Sequence, residues 1–261
     1  MKKNHIVSEI MDQSRHQFIY GYHGEDRTNF LRGLEEKYPI VTDQNIPMAI
    51  YLNEIGLPKQ TIPKEADRSL IDSVCREFLT TEIVYEIVDR TSKSKTDDEF
   101  KKRLQKLLTR TNMYIKSADY KDIESLEELK EALKQTREFY ERYYYEYIKD
   151  GKRRDIREAI LPFIQLELWV TSFKRVLNND SYFGIICEKK DELSLFSTRN
   201  INFLVGGRIN KDISMKVAVE PDKWDTYTDP NGQFIEAIHD YGTVELDDSL
   251  KVYMKRMIDK K

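Results

Sequence analysis

Apolar residues in this chain follow two different rhythms. Near both ends they come in short runs divided by polar stretches, and through the middle they recur at intervals of three and four over long distances. Phe18-Ile19-Tyr20 is the first run, and 45–52 holds a second. The segment 180–187 contains Tyr-Phe-Gly-Ile-Ile-Cys, the continuous apolar type that a parallel sheet buries on both faces. Residues 213–219 alternate, and 242–246 supplies a last short strand before a closing helix to about residue 258. Helical stretches are predicted between these runs, at 27–37, 195–206 and 231–238. Strands that alternate with helices predict crossover units and a parallel sheet.

From about 64 to 178 no strand is predicted. One amphipathic helix is expected at 64–88 and another at 97–109, separated by the polar Thr-Ser-Lys-Ser-Lys-Thr. In 120–149 the positions Leu126, Leu129, Leu133, Tyr140, Tyr143 and Tyr147 form a heptad-like seam, with Thr136 filling its gap. Asp150-Gly151 breaks that helix, and a second runs from about 155 to 177, started or kinked by Pro162. The two together predict an antiparallel helical hairpin. The resulting organisation is an α/β core built from 1–63 and 179–261, with a helical insertion at 64–178.

Composition narrows the setting. A chain of 261 residues that is 39% hydrophobic can build one sizeable core. Charged residues reach 34%, yet the net charge is only −3, so there is no global attraction to nucleic acid or to an anionic membrane. No apolar run approaches the length needed to span a bilayer. The two cysteines, Cys75 and Cys187, have no metal-ligand spacing, and the four histidines form no zinc motif. A cytoplasmic protein without membrane contact is expected.

The candidate chemistry begins where the first strand ends. Gly21-Tyr22-His23-Gly24-Glu25-Asp26-Arg27-Thr28 keeps the frame of a phosphate-binding loop, G-x-x-x-x-G-K-[ST], with Phe30, Leu31 and Leu34 next as helix positions. Its chemistry is altered. Thr28 could still serve a metal ion, but Arg27 stands where a lysine belongs, and a planar guanidinium is not a point-charge ammonium. Asp26 replaces the second glycine. A carboxylate about 5 Å from a phosphate costs roughly 1 kcal/mol in bulk water and several times that when half-buried. Glu25 and Asp26 together can therefore cancel the anion attraction of the helix end. Both are also ordinary first-turn residues of any helix.

A second segment stands at the end of the 180–187 strand. In P-loop ATPases a buried strand ends in two acidic residues, one serving Mg²⁺ and one activating water. Here the positions are Glu188 and Lys189, and an ammonium cannot orient and deprotonate water. Taken together, the two segments resemble the AAA+ ATPases of the origin-recognition/initiator type, chiefly the large prokaryotic set of stand-alone ATPases. The stretches 194–208, 212–221 and 227–232, with His239-Asp240-Tyr241, are similar to the later segments of that set. The resemblance spans roughly 15–60 and 180–248. It implies a parallel-sheet P-loop core, with nucleotide at Gly21, Gly24, Asp26, Arg27 and Thr28, and Mg²⁺ at Thr28 and Glu188, if either is retained. The chain departs from the family at Arg27 and Lys189. It also departs at Val219 and Glu220, where a polar sensor is expected, and in having no room for a helical lid after 247.

The expectation is a catalytically decayed AAA+-like protein, leaning away from an enzyme and acting as an interaction or scaffold subunit of a bacterial complex. No cofactor is expected; ATP and Mg²⁺ enter only in the alternative of a weak ATPase or nucleotide sensor. The expected partner is a protein, such as an active ATPase or a nuclease. A nucleic-acid contact would use the basic run Lys149, Lys152, Arg153, Arg154 and Arg157. Tyr140, Tyr143, Tyr144, Tyr145 and Tyr147, with Arg153 and Arg154, are the candidate docking surface, Tyr144 and Tyr145 lying off the main seam. The alternative is that two helices bury these rings against each other. The loop is expected to be dispensable for stability, so that changing Arg27 and Thr28 leaves the fold intact.

Overall fold

The computed structural model describes residues 7, 10, 15–21, 24–37, 40–41, 46–53, 55–94, 97–112, 123–150, 165–190, 192–207, 212–237 and 239–246. Strand β1 (His16–Tyr20) leads into helix α1 (Glu25–Glu35). The short pair β2 (Ile40–Val41) and β3 (Ile46–Pro47) is antiparallel, and β4 (Ala49–Leu52) comes after it. Four helices come next: α2 (Arg68–Ser92), α3 (Asp98–Asn112), α4 (Leu126–Asp150) and α5 (Leu166–Leu177). The chain returns to the sheet with β5 (Phe183–Glu188), α6 (Leu195–Gly206), β6 (Ile213–Val219) and β7 (Tyr241–Glu245).

The main sheet has five strands in the order β4-β5-β6-β1-β7, all parallel. Alternation along each strand divides the core between its faces. Ile19, Tyr51, Ile186 and Ala218 face α1, where they pack with Phe30, Leu31 and Leu34. Phe18, Ile50, Ile185, Cys187, Val217 and Val219 face the other way, onto the larger helical layer. From β1 the chain crosses to the far edge strand with α1 on one face. From β4 it advances back through β5 and β6 with its helices on the other face. The crossover rule for parallel strands requires this division. The loop after β1 therefore leaves toward one face, and those after β5 and β6 toward the other, so a crevice forms at the carboxyl ends of β1, β6 and β5.

The 64–178 region shares the core of the sheet. Leu79, Ile83, Ile87, Leu107, Leu129, Trp169 and Phe173 belong to the same apolar cluster as the strands. Helix α2 starts on Asp67, whose carboxylate accepts from the backbone N–H groups of Ser69 and Leu70. It then runs between the sheet, α4 and α6. The expected α4–α5 hairpin gives way to a different pairing. Helix α4 packs along α2, and α5 packs against α3. The Glu82–Arg137 pair at 3.0 Å and the Asp89–Lys130 pair at 2.6 Å join α2 to α4. Residues 151–164, including Gly151, Pro162, Arg153 and Arg154, lie outside the described residues, as does the expected closing helix.

The helix expected at 231–238 is absent among the residues described there. Asp229 accepts from the backbone N–H groups of Asn231 and Gln233, both at 2.8 Å, and Gly232 takes φ +80°. An Asp-Pro-Asn-Gly turn with an anchoring carboxylate overrides the weak helical pattern after it. Thr228 and Phe234 instead form an isolated antiparallel bridge.

Candidate functional site

The loop after β1 and the end of β5 meet at the carboxyl edge of the sheet, on the α1 side. Glu188 is the last residue of a strand buried along its whole length, and Arg27 and Thr28 lie in the first turn of α1. The structure brings these three residues into one cluster. The Arg27 guanidinium donates from Nε to Glu188 Oε1 at 2.8 Å, with its Nη2 2.7 Å from the same oxygen. Nη1 donates to the Gly21 carbonyl. Thr28 Oγ1 donates to Glu188 Oε2 at 2.8 Å, and the Tyr51 hydroxyl donates to that oxygen at 3.2 Å. Arg27 and Glu188 side chains are each only 3% exposed. This burial argues against the expectation that the loop is dispensable for stability, because the pair is an internal part of the fold.

Tyr51, which sequence reasoning missed, is held by its place on β4. It stands opposite Ile186, two residues before Glu188, on the α1 face. The Arg32 guanidinium lies over its ring, 5.4 Å from the centroid. Burial, followed by the charge of Glu188 and the hydrogen bond to it, pushes the Tyr51 phenol well above its ordinary range, which keeps the hydroxyl a donor. A tyrosine near the end of a short, otherwise apolar strand is the signal that could have found it.

Gly21 also has a different task from the one expected. A Cβ built there would meet Leu246 Cβ at 3.1 Å. The bare backbone thus lets the end of β7 close on β1, where Leu246 N–H donates to Tyr20 O at 2.8 Å and Gly21 N–H to Val219 O at 3.0 Å. Gly24 has an extended backbone ahead of α1, with open space where a side chain would go. Asp26 lies in the first turn of α1. Lys189 is buried and pairs with Asp225 at 3.1 Å, while its backbone N–H donates to Ala218 O. The position where the resemblance implies a water-activating residue is therefore held in an ion pair with Asp225. Val219 is part of the core, and Glu220 comes next, half-buried.

The arrangement does not fit a magnesium ion or a triphosphate as it stands. A metal would need the Thr28 hydroxyl and the Glu188 carboxylate, and both oxygens of that carboxylate already accept from Arg27, Thr28 and Tyr51. A phosphate would need the cation at position 27, which is turned onto Glu188. Among the described residues there is also no group of three or more His, Cys, Asp or Glu side chains placed to hold a metal ion.

The tyrosines predicted to form a docking surface divide. Tyr140, Tyr143, Tyr144 and Tyr147 are buried with Leu70, Ile71, Val74 and Phe78 of α2. Tyr144 is 2% exposed, and its hydroxyl donates to Pro58 O at 2.8 Å; Tyr147 receives the N–H of Asp67 at 2.9 Å. These four rings belong to the core, against α2 rather than α5. Tyr144 is not off the buried face: its ring continues the stripe one residue around from Tyr143. Tyr145 alone of the five is exposed, at 40%.

No family model, curated protein or solved structure matches the chain.

Proposed function

We propose that this chain is a catalytically decayed AAA+-like protein in which the nucleotide site has become a structural element. It acts as an interaction or scaffold subunit of a bacterial complex, with a protein partner such as an active ATPase or a nuclease. The observation that carries this reading is the buried Arg27–Glu188 pair, closed by Thr28 and Tyr51. The meeting of the loop after β1 with the acidic end of β5, on an all-parallel sheet, supports the reading. Each group that would serve phosphate or metal instead serves a neighbour in the chain.

Energetics favour the closed arrangement. Opening the pair to admit a nucleotide strands two ions in a poorly solvated setting, and removing one partner of such a pair typically costs about 3–5 kcal/mol. An incoming phosphate must offset that cost before it can bind. Lys189, held by Asp225, offers no base for the attacking water. The reading is tested by ATP turnover of the purified chain. Phosphate release at the uncatalysed level is expected with Mg²⁺ or Mn²⁺. Turnover that disappears in Arg27→Ala would establish a weak ATPase and overturn the proposal.

A further inference from the structure

A second feature of the same sheet edge points to what the chain binds. Beside the carboxyl ends of β1, β6 and β7 lies a cleft of about 390 Å³. Tyr20 and Tyr227 line it, their hydroxyls joined by a hydrogen bond of 3.3 Å. Pro221 and Leu246 add apolar walls, and Asp222 and Glu245, both exposed, contribute carboxylates. None of its described lining residues is a cation. Arg27, the one cation in the described part of the adjoining loop, is turned inward to Glu188 and Gly21.

The aromatic lining is rigidly backed. Tyr227 stacks on Tyr241 with centroids 6.3 Å apart, and Phe18 packs edge-on against both Tyr241 and Tyr227. Trp224 closes on Phe18 from another side at 4.8 Å. The only charged residues in the described lining are the carboxylates of Asp222 and Glu245, and burial first, then the hydrogen bond to Tyr227, push the Tyr20 phenol far above its ordinary range, so that it stays protonated. Tyrosine rings with hydroxyl oxygens and flanking carboxylates are the complement of a planar cation, which stacks on tyrosine and donates hydrogen bonds in its own plane. The same lining repels a polyphosphate.

We infer that this cleft receives an arginine side chain presented by a partner protein. Tyr20 and Tyr227 supply the aromatic contact, and Asp222 and Glu245 the counter-charge. The assignment of a protein as the source rests on the interaction-subunit reading; the preference for a guanidinium rests on the cleft alone. A cavity of this size exceeds one side chain, so neighbouring backbone of the partner would enter with it.

The test is an amide-shift titration of the ¹⁵N-labelled full chain with the blocked tripeptides Gly-Arg-Gly and Gly-Glu-Gly, with Mg·ATP as a separate arm. The arginine peptide should shift the amides of Gly21, Glu245 and Leu246, and the glutamate peptide should not. The Asp222→Asn/Glu245→Gln variant should bind the arginine peptide about tenfold more weakly. Both substitutions are on exposed positions, and Asn tolerates the positive φ of Asp222, so unaltered amide shifts elsewhere should confirm the fold. Equal binding by the variant, equal binding of the glutamate peptide, or no shift up to the peptide's solubility limit would overturn the inference. Saturation of the loop by Mg·ATP would instead overturn the interaction-subunit reading and leave the arginine result standing by itself.

Discussion

Arg27→Ala removes one member of an ion pair whose partner, Glu188, is 3% exposed. The carboxylate left behind keeps Thr28 and Tyr51 but loses the guanidinium that neutralises it. Breaking a buried pair from one side costs about 3–5 kcal/mol, against a median near 0–1 kcal/mol for an exposed pair. For a chain of this size each kcal/mol moves Tm by roughly 2–4 °C, so a fall on the order of 10 °C is expected. Arg27→Lys should fall between, losing about 1–2 kcal/mol, because one ammonium cannot span both Glu188 and the Gly21 carbonyl as the guanidinium does. Arg27→Met/Glu188→Leu removes both charges and should recover to within about 2 kcal/mol of the parent, as buried pairs exchanged for apolar residues often do. Urea unfolding followed by circular dichroism at fixed pH closes this cycle. Single variants that each cost under about 1 kcal/mol, with no coupling between them, would refute the argument that the site is a structural pair.

Burial and charge elsewhere in the chain set further expectations. Tyr144→Ser should cost about 3–5 kcal/mol, since it empties a core position and orphans the Pro58 carbonyl. Tyr145→Ser should stay within about 0.5 kcal/mol, and thermal unfolding separates the two. Lys189→Ala loses a pair whose partner Asp225 is 40% exposed, so a loss of about 1 kcal/mol is expected in urea unfolding, with no gain of ATP turnover. His16 is held down at about 4 by burial first and by the nearby Lys216 charge second. Its folded value lies below its unfolded value, so its contribution is present above about 6.5 and is lost as pH falls toward 4. That loss is about 3 kcal/mol, partly opposed by Asp72, which burial raises to about 6. His16→Gln should flatten the slope of stability between those pH values. Lys216, lowered to about 7 by burial, should add stability as pH rises from 7 toward 10.5, and Lys216→Met should abolish that rise.

The strands were legible because sheet burial leaves a direct trace. The 213–219 strand and the 195–206 helix lie where the apolar pattern puts them, and Glu188 ends its strand as the run of apolar residues ahead of it requires. The loop residues could be singled out, but not their effect on one another. Which way Arg27 turns depends on Glu188 being 161 residues away in sequence and one sheet edge away in space. Periodicity identified the tyrosine face of α4 and left its partner open, because a stripe of rings reads the same whether the covering surface is α2, α5 or another protein. The Tyr20–Tyr227 cleft had no local trace at all: its two rings are 207 residues apart and meet only because β1 lies between β6 and β7. The turn at 229–232 is of another kind: Asp-Pro-Asn-Gly carries a local turn signal, and the helical pattern of the next residues is too weak to override it.

The most direct test of the central claim is equilibrium binding of Mg·ATPγS to the purified full chain, read by calorimetry and by Tm at the same ligand concentrations. A ligand present at about 100 times its Kd would stabilise the fold by about 2.7 kcal/mol, a Tm rise of several degrees. The account predicts no saturable heat and no change in Tm at millimolar nucleotide. Saturable binding that raises Tm and is lost in Thr28→Ala would contradict it, because the Arg27–Glu188 pair would then be a resting state of a working nucleotide site.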